Sequence, residues 1–277
     1  MSKIGRKLFY LLPPGLRFSA RRLFYLPADT LDGLLGKRDG LTPPKGLIYT
    51  GGGDFRKMGE MQLGYFIAYC GLRPNGSVLD IGSGMGRSAV ALTQFLSKEG
   101  SYRGFDVVER GVAWCTKNIT SRFPNFLFKY IPLNNDLYRP GGEAPETFRF
   151  PYPDKTFDLI TVKSVFTHMV ANEVENYFKE MARVLKTGGT AYTTFFLYEH
   201  GQNTFPDGFD FPVDREHFRL MDGGVQSANV AYRKDYLEKE LAGKNGFKTR
   251  YLFEGSWRGL PKKDCKEFQD LVILEKV

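Results

Sequence analysis

The run Val78-Leu79-Asp80-Ile81-Gly82-Ser83-Gly84-Met85-Gly86-Arg87 decides the reading of this chain. Residues 78–81 are a short apolar, β-branched run after the Pro74-Asn75-Gly76 turn signal, and they read as a buried strand. Glycines at 82, 84 and 86 let the backbone turn sharply and approach a ligand closely, which only a residue without Cβ does freely. Ala89, Val90, Leu92, Phe95 and Leu96 then recur at helical spacing, so the loop delivers a helix N-terminus. Strand, glycine loop and helix together make a cradle for a nucleotide-type cofactor.

Two details bear on which cofactor. A dinucleotide fingerprint needs G-x-G-x-x-G, but Arg87 stands where its third glycine would fall. Asp80 sits beside the loop, which suits a cofactor with an ammonium and a sulfonium better than a diphosphate. Residues 102–106 (Tyr-Arg-Gly-Phe-Asp) read as a second strand whose closing acid, Asp106, comes 24 residues after Gly82 and can accept hydrogen bonds from both ribose hydroxyls. Acid, glycine loop and second acid resemble motif I and the following acidic motif of class I S-adenosylmethionine (SAM)-dependent methyltransferases. The bland alternative is a glycine-rich turn in an ordinary α/β protein.

Length and composition set the frame. With 277 residues and 42% apolar content, the chain suffices for one sizeable core or one domain with additions. Cys70, Cys115 and Cys265 lie far apart, and the three histidines are scattered, so neither a disulfide framework nor a metal cluster is expected. Uncharged runs reach 12 residues at most, short of the roughly 20 that a membrane-spanning helix needs. The N-terminus superficially resembles a signal peptide. Pro13-Pro14 breaks its apolar run, arginines follow at once and no small-residue cleavage site is present, so secretion is not expected.

Charge is unevenly placed. Residues 1–40 hold eight Lys/Arg and three Asp/Glu, net +5 of the chain's +8, interleaved with Phe, Tyr and Leu. That mixture suits peripheral contact with an anionic membrane or an acidic partner. It suits equally an N-terminal helical pair packed on the domain with solvated Arg/Lys edges. Nucleic-acid binding is disfavoured, since the excess is local and no binding motif accompanies it. Residues 1–44 are read as a basic amphipathic extension ending in the Pro43-Pro44 linker, and 45–277 as the main domain.

Along that domain, Gly51-Gly52-Gly53 suggests either a loop beside a ligand or a tight packing turn, and residues 60–71 a helix apolar nearly all round. A helix follows at 111–122 and a third strand at 126–131. The broken stretch 137–151 is an insertion, and 159–163 is a fourth strand opened by a structural Asp158. A helix at 172–185 and a fifth strand at 190–198 complete an alternation that argues for a mostly parallel sheet with helices on both faces. The block PYPDKTFDLI…SVFTHM…VENYFKEMARVLKTGGTAYTTFF looks like motif IV to post-motif V of the type 11 methyltransferases, and the lead-in at 49–55 and Gly255-Ser256-Trp257-Arg258-Gly259 look like one bacterial subgroup. The resemblance covers about 45–277. It implies a Rossmann-like α/β fold with a seven-stranded sheet, its last two strands an antiparallel hairpin at 246–253 and 268–274 after a helix at 232–242. Residues 199–231 then form an insertion between strands 5 and 6, read as an acceptor-site lid because ligands bind at the carboxyl ends of such strands.

The expected cofactor is SAM, held by Asp80, Gly82, Ser83, Gly84, Gly86, Asp106, Val107, Asn135 and Ser164. Pro132 departs from the family pattern, standing where an Asp often meets the adenine amine, which leaves Asn134, Asn135 or Asp136 to substitute. Methyl transfer is an in-line displacement in which the protein supplies positioning and, for a hydroxyl acceptor, a general base. His168, just past the fourth strand, is the first candidate; its alternative is a helix-start histidine bonding a carbonyl. His200 and His217 come after it, and Lys163 either meets the acceptor or the SAM carboxylate or is a solvated end charge. The expected activity is methyl transfer from SAM to a small-molecule or glycan/lipid-linked acceptor, at a hydroxyl oxygen, in the cytoplasm or at the inner face of the membrane. The alternatives are N-methylation of nucleic acid or protein, against which Lys163-Ser164-Val165-Phe166 lacks an Asn/Asp-Pro-Pro-Tyr tetrad, and a non-catalytic SAM-binding scaffold.

Overall fold

In the computed structural model, which describes residues 13–206 and 209–277, the glycine-loop stretch lies at the centre of the sheet. Strand β1 (Ser77–Ile81) pairs in parallel with β2 (Ser101–Asp106) on one side and β4 (Phe157–Val162) on the other. Outside them lie β3 (Phe126–Tyr130) and the long β5 (Leu185–Tyr198), both also parallel. The antiparallel pair β9 (Phe247–Phe253) and β10 (Asp270–Lys276) completes the seven-stranded order β3-β2-β1-β4-β5-β10-β9, with β10 against β5. This is the expected Rossmann-like sheet.

Side-chain alternation divides the core. Leu79 and Ile81 of β1 face one apolar layer, and Val78 faces the other. Helix α5 (Ala171–Val184) buries Val174, Tyr177, Phe178, Met181 and Val184 in the first layer, with α6 (Lys234–Tyr236) and the turns that follow it. Helices α2 (Phe55–Ala68), α3 (Arg87–Leu92) and α4 (Glu109–Cys115) cover the second. Helix α2 is not buried all round as its composition suggested. Phe55, Gly59, Gln62 and Phe66 face inward while Ile67 keeps 43% of its surface in solvent, because only one face meets α3. Gly59 allows that meeting, since a Cβ there would stand 2.8 Å from the Arg87 carbonyl oxygen.

The insertion at 199–231 is more ordered than its lack of periodicity suggested. It contributes β6 (Val213–Asp214) and β7 (Phe218–Leu220), and its end enters β8 (Val230–Arg233). Strand β8 runs parallel to the last residues of β5, 196–198, so the sheet reaches ten strands. Strands of two to four residues are too short to display a period of two. They are stabilised instead by a separate apolar cluster of Phe196, Tyr198, Phe211, Met221, Ala231 and Trp257. Tyr232, read as the start of a helix, belongs to β8. The stretch at 137–151 is mostly irregular, as expected, yet Phe148 and Phe150 pack against Phe105 and Tyr177 in the first layer.

Of the N-terminal extension, residues 1–12 lie outside the described part, and so does any first helix of an expected pair. Helix α1 (Pro14–Leu34) runs 21 residues and is docked by its polar side. Asp29 accepts from the Lys45 and Gly46 amides, and an Arg17 guanidinium donates to the Leu137 carbonyl. Leu16, Leu23, Leu31 and Leu34 face solvent, exposed by 55–81%. The solvated-edge picture is therefore partly inverted: Arg17 and Arg21 are drawn toward the domain, Arg22 stays exposed, and the leucines turn outward. No described helix is long and apolar enough to cross a membrane.

Candidate functional site

At the carboxyl ends of β1, β2 and β4 two connected spaces, of about 750 and 540 Å³, share Thr50, Gly82, Lys163 and Ser164. The larger is bounded by Asp106, Val107, Asn134, His168 and Glu173, the smaller by Asp80, Ser83, Gly84, Met85 and Arg87.

The loop between β1 and α3 is built by its own hydrogen bonds. The Gly82 and Ser83 amides both donate to the Phe105 carbonyl at 2.9 and 3.0 Å, and the Gly86 amide donates to the Ser83 carbonyl. The Gly84 amide donates to Asp106 Oδ2 at 2.7 Å. A phosphate cradle needs such amides free; here four of them are already used. Gly82 is required twice over, by φ +76° and because a Cβ would lie 2.4 Å from Val165 Cγ2. Gly86, expected among the cofactor contacts, has another role. It lines neither space, and a Cβ there would meet Ile119 and Cys115 at 2.8 and 2.9 Å, so it closes the packing of α3 on α4.

The two acids are held differently. Asp80 is buried and accepts the Tyr102 hydroxyl at 2.6 Å. Burial pushes its carboxyl up to about 7, against the lowering effect of Tyr102. Asp106 is also raised by burial, opposed by the amides of Gly84 and Val108. A carboxylate offers about four lone-pair positions, and three are used here, the third by the Tyr49 hydroxyl at 3.3 Å. A ribose diol therefore finds one open position and a second held by a long, easily displaced contact. Ser83 Oγ is buried beside Asp80 with no hydrogen-bond partner. Together these groups fit SAM: acids for its ammonium and ribose, an unsatisfied hydroxyl, and a loop that offers few amides to phosphate. Arg87 and Lys163 add positive charge near the end where a carboxylate would lie. Among the described residues no three His, Cys, Asp or Glu side chains converge as metal ligands.

The remaining expected contacts separate. Val107 lines the larger space. Ser164 lines both and sits at φ +54°, a conformation held by its amide donating to Thr194 Oγ1 and its hydroxyl donating to Gln269. Asn135 lines the space but spends its amide on structure. Its Nδ2 donates to the His168 carbonyl, and its Oδ1 accepts from the Leu137 and Tyr138 amides. Asn134 Oδ1 accepts from the Gly141 amide, and Asp136 accepts from the Gln226 and Ser227 amides of the insertion. Asp158 ties the Ser77 amide and Lys186, a structural role as read. Lys163 is no solvated end charge: it meets Glu267 at 2.7 Å, which also accepts the Tyr192 hydroxyl.

Of the histidines, the structure brings one into the site. His168 Nδ1 lies 2.8 Å from the Ser227 carbonyl, which can only accept, so Nδ1 carries the proton and Nε2 of the neutral ring keeps a lone pair. Burial lowers its pKa, against the raising effect of the Ser227 and Ala228 backbone. His200 is exposed on the turn after β5 and lines neither space, and His217 stacks on Tyr236 at 4.4 Å. Sequence reasoning missed Glu173, which caps α5 by accepting the Val170 amide while facing the larger space, its carboxyl pushed up to about 7 by burial. It also left undecided the triglycine lead-in, where Tyr49 and Thr50 line the cleft and the Gly51 and Gly52 carbonyls accept from Arg87.

Residues 79–193 match the family model described as a methyltransferase domain. A ubiquinone/menaquinone biosynthesis C-methyltransferase UbiE from Xanthomonas campestris is 30% identical over 127 residues, 46% of this chain and 45% of that protein. The namesake from Stenotrophomonas maltophilia is 28% identical over 178 residues, 64% of this chain and 63% of its own. The chain thus spans about half to somewhat under two thirds of the length of these curated relatives. Among solved structures, the PH0226 protein of Pyrococcus horikoshii superposes with TM-score 0.53 at 18% identity, covering 83% of this chain and 95% of that one. A geranyl diphosphate methyltransferase in complex with SAM gives 0.54 at 13% identity, covering 79% and 85%. At such identities the likeness speaks for the fold, and the motif residues and family match speak for the cofactor. Residues 79–193 carry a class I SAM-dependent methyltransferase domain, with S-adenosylmethionine as its cofactor.

Proposed function

We propose that this protein transfers a methyl group from SAM to a hydroxyl-bearing small molecule, with His168 as the general base. The observation that carries this reading is the tautomer of His168. Its Nδ1–H is tied to the Ser227 carbonyl, so the ring can take a proton at Nε2, in a space it shares with Gly82 and Asp106. SAM, when bound, supplies a methyl on a sulfonium centre. The protein's part is to orient the acceptor, exclude water and accept the hydroxyl proton.

Deprotonation serves two outcomes. The oxygen can take the methyl itself, or, in a phenol, it can pass electron density to the adjacent ring carbon, which takes the methyl and then releases its own proton to restore the aromatic ring. The second agrees with the C-methyltransferase name of the UbiE relatives; the aromatic lining of Tyr49, Phe105, Tyr138 and Tyr177 suits a ring of either kind. The segment 226–229 of the insertion supports a lid role, through the contacts of Ser227 with His168 and Asp136. The test is methyl-labelled SAM offered with phenols, quinols and lipid-linked sugars, the product being located by mass and NMR. Label on oxygen or on the adjacent carbon supports the proposal. Tight SAM binding with no transfer to any acceptor would favour a non-catalytic SAM-binding protein instead.

The outward leucines of α1, with the exposed Arg22 between them, also support peripheral contact with an anionic membrane at the cytoplasmic face. Wild-type protein should float with vesicles containing phosphatidylglycerol, and Leu23→Asp with Leu34→Asp should leave it in the dense fraction. Unchanged flotation in the double variant would remove α1 from that role.

A further inference from the structure

Beside the acceptor space lies a third cavity, open to solvent on one side, between α1 and the domain. Tyr49, Tyr138 and His168 line both, so the two spaces adjoin at the histidine. The outer wall is Arg17, Phe18 and Arg21 of α1. Arg21 forms no ion pair among the described residues, and its buried Nε has no hydrogen-bond partner. Its guanidinium carbon stands 4.9 Å from the Tyr25 ring. Arg110 lies over the Phe18 ring at 3.9 Å, close enough to Arg22 to feel its like charge.

The nearby acids do not balance this group. Asp29 is taken up by the Lys45 and Gly46 amides and by Arg38 at 3.7 Å, and Asp136 by the Gln226 and Ser227 amides. Asp106 is held by the Gly84 and Val108 amides and the Tyr49 hydroxyl. A guanidinium drawn inward with an unsatisfied buried N–H costs free energy unless an anion meets it. Its planar fork matches the oxygens of phosphate. Helix α1 turns Arg17 and Arg21 toward this cavity while leaving Leu16, Leu23, Leu31 and Leu34 in solvent, the reverse of ordinary amphipathic packing.

We infer that the cavity under α1 binds a phosphate or diphosphate group of the methyl acceptor, with Arg21 as the principal anion ligand and Arg17 at its side. This rests on the acceptor reading of the His168 space. It names the acceptor class: a molecule whose methylated end reaches His168 while its phosphorylated end lies against α1. The phosphate could belong to a soluble metabolite or to a lipid headgroup.

The test is calorimetric titration of pyrophosphate into the full chain loaded with S-adenosylhomocysteine, for wild type, Arg21→Gln and the distant control Lys98→Gln. Wild type and the control should bind alike. Arg21→Gln should bind about ten- to a hundredfold more weakly, the effect of losing a hydrogen bond to a charged group. SAM affinity should be equal in all three, because Arg21 lines neither cofactor space. A parallel arm measures flotation with phosphatidylcholine vesicles with and without phosphatidic acid. Arg21-dependent flotation exceeding the pyrophosphate effect assigns the phosphate to a lipid; the reverse assigns it to a soluble molecule. Absence of binding in both arms, or equal binding by Arg21→Gln in both, overturns the inference. Neither arm uses turnover, so a failure of the methyl-transfer proposal would show separately, as SAM binding without transfer.

Discussion

Asp106→Ala should abolish measurable SAM binding. Two hydrogen bonds from the ribose hydroxyls to a charged group, at roughly 1.5–3 kcal/mol each, correspond to a loss of about 10²–10⁴ in affinity. The substitution also strips the Gly84 and Val108 amides of their acceptor. Both lie at the cleft, so some thermal stability should go with the binding. Asp106→Asn separates the effects, because its carbonyl oxygen still accepts one amide: stability should recover more than affinity does. Calorimetry with SAM and thermal unfolding read the two. Retained binding by the alanine variant would place the ribose elsewhere.

His168→Ala should lower kcat by about 10²–10⁴-fold, the usual worth of a general base, with SAM affinity little changed. The pH profile carries the sign. Burial lowers the pKa of His168 below its ordinary value of 6.5, so the neutral, proton-accepting ring prevails at neutral pH. Activity should fall on acidification through that lowered value, and this acid limb should vanish in the alanine variant. The same shift acts on stability. The unfolded chain takes up the proton at higher pH than the folded chain, so the contribution of His168 is present above about 6.5 and is lost as pH falls below it. A kcat unchanged in His168→Ala would reduce the residue to its bond with Ser227, and Glu173 would become the base to test.

The central sheet and cofactor were legible because their signals are local. Three apolar strand residues, three alternating glycines and an acid on each side of them lie within 29 residues, and backbone sterics leave few conformations for such a loop. The helix at 171–184 was legible for the same reason, its apolar stripe repeating at 3.6 residues over four turns. Strands of two or three residues in the insertion repeat nothing, and their partners come from chain far away. The inward turn of Arg21 and the outward turn of Leu23 were hidden too, because an amphipathic pattern does not say which face meets the protein.

The chain by itself determined the alternation of strands and helices and the SAM motif, since each depends on contiguous residues and their spacing. Tertiary structure decided what those residues are free to do. It consumed the Asn135 amide in holding His168 and the Tyr138 turn, committed Gly86 to packing, and left His200 in solvent. It also set the tautomer of His168 through a carbonyl 59 residues away. Hydrogen-bond partners are chosen by folding, and no local pattern encodes a contact across that distance.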